Sequence, residues 1–128
     1  MQGYEVKIRE SSKTLTAKER ISVKDFSNAV ALDSAVTDDS ELIIIPDSYI
    51  ILDVHNERSR NDKDYVKYLI MDKTGAKYVT GSESFFTSFK SIFDEMAAEA
   101  PDEEYSIMCY RKPSQNYNGK SFLTCSIT

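Results

Sequence analysis

Tyr4, Val6 and Ile8 alternate with Glu5, Lys7 and Arg9, the period of two that turns one face of a strand to a core and the other to solvent. The pattern then weakens. Thr14 to Ile21 fits either a short helix or an irregular excursion, and Lys24 to Asp39 keeps no steady period. Order returns at Leu42-Ile43-Ile44-Ile45, which Pro46-Asp47-Ser48 interrupts before Tyr49-Ile50-Ile51-Leu52-Asp53-Val54 and a polar stretch, His55 to Asp64. Tyr65 to Met71 and Lys77 to Thr80 are two further β-rich runs. Asp72-Lys73-Thr74-Gly75 joins them as a hairpin turn, its glycine suited to a positive φ. Phe85, Phe89, Ile92, Phe93 and Met96 recur at spacings of three and four, the apolar stripe of a helix of about four turns. Thr80 or Ser82 can cap its start, Glu83 suits its positive end, and Pro101 stops it. Tyr105 to Tyr110 and Lys120 to Ile127 read as a last strand pair around a polar loop, Arg111 to Gly119.

From Tyr49 the order is strand, strand, strand, helix, strand, strand. This predicts a mainly β chain: a five-stranded OB-type Greek-key barrel over residues 42–128, with its helix between the third and fourth strands. Residues 1–41 become a β and irregular N-terminal extension packed on the barrel, and the whole is one domain. Such barrels bind oligonucleotides on their second and third strands and in the loops joining strands one to two and four to five. Here those loops are His55 to Asp64 and Arg111 to Gly119.

Composition narrows the classes. At 128 residues, 41% hydrophobic and 29% charged, the chain has ordinary globular usage and no apolar run of membrane-spanning length. Its polar first residues lack the apolar core of a signal peptide, so a cytoplasmic location is expected. Cys109 and Cys125 fall in predicted strands without metal-ligand spacing and are expected to be buried free thiols. The single histidine, His55, has no second histidine or Cys/His cluster for zinc, and no GxSxG, P-loop or HExxH pattern is present. No catalytic residue, metal or cofactor is therefore assigned, and a binding protein rather than an enzyme is expected.

The net charge of −5 argues against a nucleic-acid partner until its distribution is considered. Residues 33–47 hold Asp33, Asp38, Asp39, Glu41 and Asp47 with no basic residue, and 94–104 hold six acids and no base. Residues 105–128 carry Arg111, Lys112 and Lys120 and no acid. Holding a single strand without reading its sequence needs cations along the phosphates and aromatic faces for the bases. The first loop offers Arg58, Arg60 and Lys63. The hairpin offers Tyr65, Lys67, Tyr68, Lys77 and Tyr78, and the last strand pair offers Tyr110, Arg111, Lys112, Asn116, Tyr117, Lys120 and Phe122. Phe85, Phe89 and Phe93, on the helical stripe, are expected to be core.

The segments Val54-His55-Asn56-Glu57, Lys77-Tyr78-Val79-Thr80-Gly81-Ser82-Glu83-Ser84-Phe85 and Lys112-Pro113-Ser114-Gln115-Asn116-Tyr117-Asn118-Gly119-Lys120-Ser121-Phe122-Leu123-Thr124-Cys125 resemble the small single-stranded-DNA-binding proteins of phages, prophages and mobile elements of Gram-positive bacteria. The likeness runs from about Ser27 to the C-terminus. It implies an OB-fold and a strand-coating role in phage-type replication or recombination. Single-stranded DNA is then the expected ligand, with RNA as its variant; self-association and replication or recombination proteins are compatible partners. The chain departs from better-known bacterial proteins of that role in having no tryptophan and no acidic C-terminal tail. The competing class is a protein-interaction or virion-accessory OB domain without nucleic-acid affinity.

Overall fold

A computed structural model describes residues 4–59, 62–113 and 121–128. Among them the chain forms eight strands and three helices, in the order β1 (Tyr4–Ser11), α1 (Ala17–Lys24), β2 (Val30–Ala31), α2 (Leu32–Ala35), β3 (Leu42–Ile44), β4 (Pro46–Asn56), β5 (Asp64–Asp72), β6 (Lys77–Thr80), α3 (Glu83–Glu99), β7 (Ile107–Pro113) and β8 (Ser121–Ile127). The chain is mainly β, as the alternation predicts. No helix among the described residues is long and apolar enough to cross a membrane.

The strands form two sheets, β1-β4-β5-β6-β2 and β3-β7-β8. β3 and β4 are separated by Ile45 alone, so one bent run of chain serves both. Pro46 lacks an N–H and the β4–β5 register slips between Pro46 and Ser48, which breaks the ladder at this point. Asp72 repairs the break: its Oδ2 accepts the Ile45 N–H at 2.8 Å and its Oδ1 accepts the Thr74 N–H at 2.7 Å. The Lys73 N–H donates to the Ile45 carbonyl at 2.9 Å. Burial pushes the Asp72 carboxyl up, but the Thr74 and Ile45 amides outweigh it and hold the group below the usual carboxylate range. The same turn places Gly75 at φ 93°, the positive value expected there.

No ladder joins β6 to β8 among the described strands; the free edge of β6 pairs in parallel with β2 instead. The N-terminal extension is thus more regular than its sequence suggests, supplying two strands of the larger sheet and two helices. β1 pairs with β4 along its length, with a bulge between Ile8 and Glu10. α1 carries a capping box, Thr16 with Glu19, a T-x-x-E signal that is visible in the sequence.

β4 is buried on both faces, which explains why its sequence is nearly continuously apolar. Tyr49 and Ile51 face a core shared with α3 and the smaller sheet. Ile50, Leu52 and Val54 face a second core closed by Leu15 and Val23. α3 starts at Ser82, whose Oγ accepts the Phe85 N–H at 3.2 Å, while the Thr80 hydroxyl donates to Asp33. Its buried residues are Phe85, Phe89 and also Phe86, which the stripe of threes and fours omits. Phe86 and Phe93 meet Tyr49 edge-on at 5.2 and 5.4 Å between ring centroids.

Candidate functional site

Alternation along β7 and β8 sorts the basic C-terminal segment onto two faces. Ile107, Cys109, Leu123 and Cys125 point into the core. Tyr110, Lys112 and Phe122 point outward together with Met108, Thr124, Ser126 and, on β3, Ile43. Lys112 lies directly opposite Phe122, and Tyr110, opposite Thr124, is the diagonal neighbour of Phe122. Phe122 is 42% exposed, and no carboxylate occupies any of these outward positions. The acidic stretch 94–104 precedes the start of β7, whereas Lys112 is five residues along that strand. Two aromatic rings and a cation therefore share the outward face of this sheet, Lys112 and Phe122 exposed and Tyr110 half-buried, with exposed Glu41 just before the β3 edge strand.

The remaining expected residues divide. Tyr65 and Lys67 share the other face of β5, with the Lys67 ammonium 5.8 Å from the Tyr65 ring centroid. Arg58 is exposed in the turn after β4, its backbone N–H on Asn56 Oδ1, and its side chain makes no ion pair among the described residues. Lys63 pairs with Glu57 at 3.1 Å. Arg60, Asn116, Tyr117 and Lys120 lie outside the described residues.

Four expected contacts are structural. Tyr68 is buried: its ring points to the α3 side of β5 and stacks on Phe86. Tyr78 is half-buried against the same core, and burial pushes both phenols up. Lys77 donates its ammonium to the Ser22 and Asp25 carbonyls at 2.8 and 3.3 Å, fastening the end of α1. Arg111 turns away from Tyr110 and Lys112; its Nε donates to Val36 O at 2.8 Å and its Nη2 to Asp33 O at 2.7 Å, holding α2. A residue type suited to phosphate or base is here used on backbone carbonyls and core rings, a choice that depends on which segments meet it.

The sequence reading also passed over an open groove of about 490 Å³ where β1, β4 and β5 extend together. Its charges are mutually matched: Arg9 on Asp53, Lys7 on Glu5 at 3.2 Å, and His55 between Asp64 and Glu57. The Asp64 and then the Glu57 hydrogen bonds raise the His55 pKa above its ordinary value. With its cations already paired, the groove offers little to a phosphate. Alternation of Lys7 and Arg9 with apolar residues, facing Asp53 in the next strand, was the only signal for it.

Set against models of protein families, curated proteins and solved structures, the chain matches none.

Proposed function

We propose that this chain binds single-stranded DNA with little sequence preference, through the outward face of the β3-β7-β8 sheet, in phage-type replication or recombination. The observation that carries this reading is the grouping of Tyr110, Lys112 and Phe122 on the outward face of one sheet, with Lys112 and Phe122 exposed. Aromatic faces stack any base and the ammonium meets phosphate, the combination a sequence-tolerant strand binder needs. Asn116, Tyr117 and Lys120 lie in the segment of chain between the described ends of β7 and β8. We further read the two sheets as an open OB-type barrel. The bent β3–β4 run shared by both sheets, the β5–β6 hairpin, the helix and the closing β7–β8 pair follow that order. Leu15 and Val23 pack over one face of β4 and β5, which favours the β7–β8 face as the site in this reading.

A second reading, a protein-interaction domain, is favoured by Ile43, 50% exposed and opposite Met108 on the same face. A fluorescence-anisotropy titration with labelled oligo(dT), its RNA counterpart and the matching duplex at two salt concentrations separates the two. Strand binding gives length-dependent, salt-weakened affinity with poor competition by duplex. No oligonucleotide affinity at 50 mM salt would move the assignment to the protein partner.

A further inference from the structure

His55, the chain's single histidine, has Nδ1 2.6 Å from Asp64 Oδ1 and Nε2 2.6 Å from Glu57 Oε1. A neutral imidazole has one N–H, so it satisfies one of these carboxylates and turns a lone pair on the other. Only the imidazolium donates to both. We propose that His55 is a proton-linked latch on the β4–β5 hairpin: protonated, it ties both ends of the connecting loop together, and on losing one proton to solvent it releases Glu57.

The surroundings favour the closed form. Glu5 on β1 is the cross-strand partner of His55 and adds a third carboxylate to that end of the groove. Lys7 is paired with Glu5 and Arg9 with Asp53, so the nearest β1 cations are already engaged. Lys63 holds the other Glu57 oxygen at 3.1 Å, and Arg58 follows Glu57 in the chain. Asp64 is fixed by its ladder position opposite His55, whereas Glu57 lies beyond the end of β4. Glu57 is therefore the group that leaves, and Lys63 with it. The contact exposed by its departure is the last rung of the hairpin, the Asn56 N–H on Lys63 O at 2.7 Å. A histidine pKa raised by folding makes this latch complete below about 6.5 and lost as pH rises through the folded value.

The latch does not rest on the nucleic-acid reading, and its test uses the full chain alone. The ring nitrogens of His55 are followed by 1H–15N NMR across pH, without ambiguity because there is one histidine. Amide exchange at Asn56 is measured against a buried β4 amide as control. We expect a midpoint above about 6.5, lowered in both Glu57→Gln and Asp64→Asn, with protection at Asn56 falling several-fold through that midpoint while the control stays constant. A midpoint at or below the ordinary value, a midpoint unmoved by both substitutions, or unchanged Asn56 protection would each overturn the latch.

Discussion

The ring of Tyr68 lies flat on that of Phe86, centroids 4.4 Å apart and planes 14° from parallel. The face on which a base would stack is thus occupied from within the protein. Tyr68→Ala should cost about 3 kcal/mol or more of stability, as truncation of a buried aromatic does, and leave the oligo(dT) affinity of the folded protein unchanged. Urea denaturation alongside anisotropy checks both; a loss of affinity at unaltered stability would return Tyr68 to the binding surface.

Tyr110→Ala and Phe122→Ala should behave in the opposite way. Each is expected to weaken oligo(dT) binding by about 1 to 3 kcal/mol, the worth of one stacked base, with the melting temperature nearly constant. Phe122 is the sharper case because its ring is already exposed. If both variants melt early and bind normally, the outward face is a packing surface.

Lys112 and Arg111 are chain neighbours that point to opposite faces, and salt dependence separates their duties. Lys112→Gln should reduce the slope of log K against log[salt] by about 0.7, one phosphate contact on a single strand. Arg111→Gln should leave the slope alone and destabilise the fold, because it strips the Val36 and Asp33 carbonyls of a charged donor. Equal slopes for Lys112→Gln and the parent would remove Lys112 from the strand's path.

Asp72 sets the acid limit of the bend between the sheets. Its folded pKa is depressed, so its contribution is present above the unfolded value of about 3.9 and is lost as pH falls through the folded one. Asp72→Asn should flatten the fall in stability between about pH 5 and 2, followed by urea midpoints. Asp72→Ala, which leaves the Ile45 and Thr74 amides without an acceptor, should cost about 1 to 3 kcal/mol at neutral pH.

Cys109 and Cys125 face each other across β7 and β8, and burial pushes their thiols up to about 12 and about 11. Little thiolate exists at pH 8, so iodoacetamide should label both only in denaturant. Rapid labelling of the native protein would mean that the smaller sheet opens.

Much of the chain was legible because its signals are local. A period of two marks β1, β-rich composition between turn signals marks β5 and β7, the phenylalanine spacing marks α3, and Gly75 marks its turn; each is read within a few residues. The faces of Tyr68 and Tyr110 were not legible in the same way. Both are strand tyrosines, and what separates them is that α3 covers one side of β5 while, among the described residues, the outward residues of β7 belong to no core cluster. Lys77 and Arg111 were misjudged for a related reason. Their partners, the carbonyls ending α1 and α2, are 52 to 78 residues away and carry no side-chain signature.

By itself, then, the sequence determined where chain segments extend, turn and coil, because backbone propensity and side-chain period are properties of neighbouring residues. It also determined that the basic and acidic stretches are separate, and that Cys109 and Cys125 have no metal-type companions in sequence. Tertiary structure alone decided that β1 and β2 join the larger sheet, that Ile45 divides one run of chain between two sheets, and which of the cations are consumed by carbonyls and carboxylates. Those outcomes depend on long-range pairing, where a backbone N–H or C=O finds whatever partner the fold brings to it, and backbone groups are the same in every residue but proline.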